Sequence, residues 1–240
     1  NRKSCRDLQS WRAGSERIEM ILAYETSTDV CSVAYQNADG DIFEKRIQGR
    51  SVHSDNLFLF TQDLMKEHGF TINDIKTVLV SNGPGSYTGL RIAASAIKGI
   101  FFQSGAEVLA VNTLAGFAAS QIGQEKGLTH AIIDARRTHV YHQQFEVNDR
   151  LIAKSSLEII EISELEEKLE SGQNLIGTGI HRINPERLAG IEVFNSESIR
   201  ASSLIELFYV LPDSEFFEKT TLEELDPNYI TSSQVNNSTL

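Results

Sequence analysis

From residue 20 onward, short apolar runs alternate with longer stretches of helical period. Residues 21–24 are continuously apolar, as a buried strand requires. Residues 31–36 predict a second strand, Asn37-Ala38-Asp39-Gly40 a turn, and residues 41–48 a third strand, making a meander. Residues 54–68 predict a helix closed by Gly69. Thr71–Asp74 is a second helix-start signal. Residues 77–81 predict a strand running into the loop 82–86, followed by a helix rich in small residues over 88–103. A strand at 108–111 and a helix at 114–123 complete the first half.

Strands then return at 130–134 and 138–147, on either side of an Arg136-Arg137 turn. Ser163 with Glu166 reads as a capping box whose helix stops at Gly172, and Ser203 with Glu206 as another before an apolar helix reaching Leu211. Between them, residues 174–176 form a strand ending in Gly177-Thr178-Gly179. Two successive units of strands then helices predict an α/β protein of two lobes, residues 20–124 and 125–240, the second with a polar tail from 232. No exact repeat is present, so any duplication is structural only.

Composition narrows the function classes. The 240 residues carry 33 acidic against 22 basic side chains, a net charge of −11. A phosphate backbone is held by clustered Lys and Arg, and no such cluster occurs after the first twenty residues, which argues against stand-alone nucleic-acid binding. Lys98 interrupts the most apolar stretch, near 92–102, so no run approaches the roughly 18 residues of a membrane span. Two cysteines, Cys5 and Cys31, are too few for a disulfide scaffold and fit a reducing cytoplasm. Residues 1–19 are polar, aperiodic and without an apolar signal core. They read as a leader or upstream extension, or else as a flexible arm, with the fold starting at Met20.

Three stretches could carry chemistry. Glu25, Thr26 and Ser27 sit at a strand end, where a carboxylate and hydroxyls can hold a phosphate directly or through a metal; the same residues also suit a polar turn. In the loop from Gly83 to Gly89, Gly83, Gly85, Ser86 and Gly89 follow a strand and open a helix. Backbone N–H groups there can approach an anion, or the glycines can serve a tight strand-to-helix turn. The loop lacks both the Walker lysine and the dinucleotide spacing. Arg136 and Arg137 could clamp an anion or a partner's acidic group, or lie solvated. His139 and His142, three apart in a strand, point to opposite faces, and the other histidines are scattered, so a histidine metal site is not expected.

The helices carry a different signal. On 54–68, Leu57-Phe58-Leu59-Phe60 and Leu64-Met65 surround nearly the whole helix, so it must be covered on both sides, and Leu57, Phe58, Phe60, Thr61 and Leu64 are its candidate interface residues. On 88–103, Ala93, Ala94, Ser95, Ala96 and Gly99 leave room for close helix approach, and Ile92, Ala93, Ala96, Gly99 and Ile100 are the candidate interface residues there. A core on one side and a partner on the other satisfies both; so does a helix enclosed within a large monomer.

Taken together, ILAYETSTDVCSVA at 21–34, SNGPGSYTGLRIAASAIKG at 81–99, VNTLAGFA at 111–118, IIDARRTHVY at 132–141, LIGTGI at 175–180 and DPNY at 226–229 resemble the bacterial TsaB (YeaZ) family. The resemblance implies a two-lobed actin-like ATPase fold, of the sugar-kinase and ribonuclease H-like type, in a cytoplasmic protein. It implies pairing with the catalytic paralogue TsaD and with the ATPase TsaE. That machinery makes N6-threonylcarbamoyladenosine at position 37 of tRNAs reading ANN codons, and the tRNA is met only through the complex. The paralogue is expected to read Asn-His-x-x-Gly-His where this chain has Asn112-Thr113-Leu114-Ala115-Gly116-Phe117. The resemblance thus implies that the two metal-binding histidines are replaced by Thr113 and Phe117. Glu25 stands in place of the usual Asp, and Thr231 in place of a common Arg.

The expected role is a non-catalytic subunit that binds TsaD, or itself when alone, with no tightly bound cofactor and with ATP or ADP and magnesium at the partner junction. An independent ATP-binding phosphotransferase or ATPase is the rival reading. A metal-dependent peptidase is a third.

Overall fold

The computed structural model describes residues 18–124, 127–211 and 214–228. Most of the expected leader, Thr231 and the polar tail lie outside the described residues. The first sheet begins as a meander: β1 (Ile21–Glu25) pairs antiparallel with β2 (Val30–Gln36), and β2 with β3 (Ile42–Gln48). Helix α1 (His53–His68) follows and ends on Gly69, which adopts the left-handed φ of 68° that favours glycine. A 3-10 turn at Ile72–Asp74 leads into β4 (Thr77–Gly83), then α2 (Tyr87–Ile100) and β5 (Glu107–Asn112). β4 and β5 run parallel to β1.

Helix α3 (Thr113–Ala119) crosses to the second sheet. There β6 (Gly127–Asp134) and β7 (His139–Val147) form a hairpin, and β8 (Leu151–Ala153) and β9 (Glu158–Glu161) pair in succession along β7. After α4 (Ile162–Lys168), β10 (Asn174–Gly177) joins β6 in parallel, followed by β11 (Glu192–Phe194). Helix α5 (Ser202–Val210) and β12 (Phe217–Thr220) close the described chain.

The sheet orders are β12-β5-β4-β1-β2-β3 and β11-β10-β6-β7-β8. From its founding strand, each sheet has an antiparallel neighbour on one side and two parallel strands on the other. The topology is therefore duplicated although the sequence is not. The last segment departs from the expected C-terminal lobe: β12 pairs antiparallel with β5 and returns to the first sheet.

Of three apolar layers, two meet at β1 and bury it on both faces. One core lies between the sheets around α3 and α5, a second beneath α1 and α2, a third beneath α4. α3 is buried along its whole length, and Gly116 permits it: a Cβ there would lie 2.5 Å from Leu204 Cδ2.

Boundaries of four helices differ from the sequence expectation. α2 stops at Ile100, short of 103, and Gln103 takes a left-handed φ of 68°. α3 stops at Ala119, because residues 120–122 tighten into three-residue bonds such as Gln121 N–H to Ala118 O, before Gly123 turns at φ 73°. α4 ends at Lys168, and Ser163 does not cap it; its hydroxyl donates to Glu161. Ser203 does not cap α5 either, since its hydroxyl donates to the carbonyls of Gly116 and Arg200.

The start of α5 is capped from another strand. Glu44 of β3 accepts from the N–H groups of Ala201 (2.8 Å) and Ser202 (3.2 Å) and from the Ser202 hydroxyl (2.8 Å). Arg46, two residues along and so on the same face of the strand, donates to Ile199 O (2.9 Å) and Ser196 O (2.6 Å). An anion at a helix start and a cation on the preceding carbonyls tie the first sheet to the segment arriving from the second.

Candidate functional site

A cleft of about 1430 Å³ opens where the two sheets face each other. It lies beyond the carboxyl ends of β1 and β4, where strand order reverses, the place at which open α/β sheets bind ligands. The duplicated topology lines it twice. Ser27, Thr28 and residues 85–89 come from the first lobe; Asp134, Ala135, Arg136 and Gly177–Gly179 come from the second.

Not every candidate residue faces this space. Glu25 is fully buried behind it. Its Oε1 accepts from the Ser27 N–H (2.7 Å) and Ser27 hydroxyl (2.5 Å), and its Oε2 accepts from Ser81. Burial raises its pKa, opposed by the hydrogen bonds from Ser27 and Ser81. Thr26, also buried, donates its hydroxyl to Gly89 O at 3.0 Å.

The glycines of the loop meet the chain's own backbone. A Cβ on Gly89 would lie 2.0 Å from Thr26 O, one on Gly85 2.6 Å from Ser27 O, and one on Gly83 2.4 Å from Asn228 O. The N–H of Ser86 is taken by Ser27 O (2.6 Å), and that of Gly89 by the Ser86 hydroxyl, which caps α2. These residues fit a tight strand-to-helix turn. They do not fit a phosphate–magnesium group held by Glu25 and this loop in the chain alone.

Arg136 lines the cleft and Arg137 lies exposed outside it. Both take positive φ, 69° and 51°, forming the hairpin turn normally built from Asn and Gly. Asp134 braces that turn by accepting from Arg136 N–H (2.8 Å) and from Arg182. Thr113 and Phe117 are buried: the Thr113 hydroxyl accepts from Gly83 N–H at 3.0 Å, and Phe117 packs between the sheets. Among the described residues, no three His, Cys, Asp or Glu side chains group as metal ligands, and no helix is long and apolar enough to cross a membrane.

The outer flank of α1 and α2 divides the candidate interface residues. Leu57, Thr61, Leu64, Ala93 and Ala96 are buried. Phe60, Ile92 and Ile100 are half-buried against the same core, and Gly99 is exposed. Phe58 and Leu59, at 51% and 49%, point outward, with Tyr87 at 55% from the second helix. Between the helices runs an apolar groove of about 490 Å³, lined by Phe58, Ile92 and Ala96 and edged by Ser54, Tyr87 and Arg91. Helix α1 is therefore apolar on two sides for two reasons, one inward and one outward.

Sequence reasoning missed one cluster altogether. His130, read as scattered, and His142, read only as opposed to His139, lie 3.0 Å apart, because pairing of β6 with β7 makes them diagonal neighbours on one face. Nothing in residue spacing signals a contact set by cross-strand register.

The model of the family "TsaD: tRNA N6-adenosine threonylcarbamoyltransferase" matches residues 48–175. A protein of Buchnera aphidicola (subspecies Baizongia pistaciae), named tRNA threonylcarbamoyladenosine biosynthesis protein TsaB, is 26% identical over 221 residues, 89% of this chain and 98% of that one. The Escherichia coli protein of the same name is 31% identical over 128 residues, 52% of this chain and 54% of its own length. The chain belongs to the TsaD family, in its TsaB/YeaZ branch. The solved YeaZ structure from Pseudomonas aeruginosa shares the fold, with a TM-score of 0.74 at 24% identity over 89% of this chain and all of that one. This TsaB-type fold has two mixed sheets flanked by helices.

Proposed function

We propose that this TsaB-family chain serves tRNA threonylcarbamoyladenosine biosynthesis as a non-catalytic subunit that docks the TsaD paralogue through the outer flank of α1 and α2. The observation that carries the reading is the exposed aromatic and aliphatic set on that flank, Phe58, Leu59 and Tyr87, beside a preformed groove. Contiguous exposed apolar surface of this kind marks interaction sites. The two positions where the resemblance expects metal-binding histidines hold a hydroxyl engaged by Gly83 and a phenyl ring in the core, which supports a role without catalysis of its own. In TsaD's absence, the same flank offers itself to a second copy. TsaE is the further partner, and tRNA is reached only through the assembly.

Co-purification with TsaD tests this. Phe58→Asp should abolish the complex while the variant keeps the parent's circular dichroism and melting temperature. An undiminished complex rejects the proposal.

The cleft favours a second reading, in which ATP or ADP with magnesium binds at the junction with the partner. Glu25 and the N–H groups of Gly83, Ser86 and Gly89 are engaged within the chain, so this reading draws further donors from the partner. Calorimetry with ATP–magnesium should give no heat of binding for the chain alone and a signal for the complex. Strong binding to the chain alone would support the independent ATPase instead.

A further inference from the structure

Beneath α4, a row of four side chains joins four segments of the second lobe. Gln173, in the turn before β10, is 2.9 Å from His130 Nε2; His130 Nδ1 is 3.0 Å from His142 Nε2; His142 Nδ1 is 3.0 Å from Glu158 Oε1 on β9. Both rings are buried, at 0% and 1% exposure, and nearly parallel, at 25°.

Gln173 fixes the polarity of the row. Its Oε1 also accepts from the Glu170 N–H at 2.9 Å, and its Nε2 faces Glu170 Oε2. A flipped amide would set N–H against N–H, so His130 must carry its hydrogen on Nε2. At the far end an ionised Glu158 can only accept. The row thus has three gaps between two terminal acceptors, and two neutral imidazoles bring two hydrogens. One gap stays open until a third proton enters.

We propose that His130, His142 and Glu158 form a one-proton sensor: a single proton, shared by the two rings, completes the row and fastens β9 and the turn before β10 to the β6–β7 hairpin. Burial, first among the causes, opposes that proton and pushes both imidazoles down to about 4. Lys168 of α4 opposes it at both rings. Glu164 of α4 favours it at His142, and Glu170 favours it at His130. The row is therefore open at neutral pH and closes on the acid side. The sign for global stability is the reverse. Histidines of the unfolded chain take up protons near 6.5, before the folded ones do, so their contribution to stability is full above 6.5 and declines as pH falls toward 4.

Glu158→Gln tests the proposal, because its amide N–H supplies the missing hydrogen at every pH. Long-range proton–nitrogen NMR of the full chain from pH 8 to 4 should show the nitrogens of both parent rings moving together, with one midpoint below 6. In Glu158→Gln that joint step should vanish above pH 4. Amide exchange of Ile159 and Ile160 at pH 7 should slow about five- to tenfold, the effect of one buried hydrogen bond. Two independent ring titrations in the parent overturn the proposal, and so does a joint step that persists in the variant. The Glu158 side chain is 30% exposed, and the parent titration needs no variant.

Discussion

On the proposed reading, adjacent residues of α1 separate docking from folding. Phe58 keeps 51% of its surface exposed, whereas Leu57 is fully buried. A phenylalanine buries about 200 Å² when wholly covered. Covering the exposed half of Phe58 with a partner thus removes about 100 Å² from water, worth about 2.5 kcal/mol at about 25 cal/mol per Å². That corresponds to about 70-fold in Kd. Phe58→Ala should weaken TsaD binding by about 50- to 100-fold and leave Tm within about 2 °C of the parent. Leu57→Ala should do the opposite. It deletes core atoms at a cost of about 3 kcal/mol, lowering Tm by about 6–12 °C, with little effect on the affinity of the folded fraction. Isothermal titration calorimetry with purified TsaD and differential scanning calorimetry on each variant measure the two quantities. A loss of affinity under threefold for Phe58→Ala, or an equal loss for Leu57→Ala, refutes the assignment of this flank as the interface.

Gly89→Ala forces a Cβ to 2.0 Å from the backbone oxygen of Thr26 and should destabilise the chain by about 3 kcal/mol or more in urea unfolding. Wild-type stability there would show that the turn after β1 gives way freely. Glu25→Gln removes the buried ionisation and leaves both hydroxyl partners satisfied. The folded pKa of Glu25 is raised, so its favourable contribution is full below the ordinary value of 4.5 and lost as pH climbs through the folded value. The variant's stability advantage should therefore grow from pH 4.5 toward neutrality in paired urea titrations, and an advantage that shrinks over that range contradicts the burial argument.

Much of the first lobe was legible because its signals are local. The meander over residues 21–48, the glycine stop of α1 and the strand-to-helix loop each depend on a few neighbouring residues. Long-range contact decided the rest. Four consecutive apolar residues, 57–60, cannot say which of them faces the core; the sheet beneath does. Both serine capping boxes look right within four residues, yet Ser203 spends its hydroxyl on Gly116, 87 positions away. At the candidate site, spacing marked the glycines but not what their missing Cβ atoms make room for: the backbone of Thr26 and Ser27. The return of β12 to β5 and the meeting of His130 with His142 depend on pairing partners that no local pattern encodes.

The clasp that Glu44 and Arg46 make on residues 196–202 bears on how the molecule can work. A jaw that swung shut around a guest would first have to strip five hydrogen bonds from two side chains and leave a helix start bare. On the proposed reading, the two halves are riveted rather than hinged, a mounting plate whose outer surface is held steady for the subunit bolted to it.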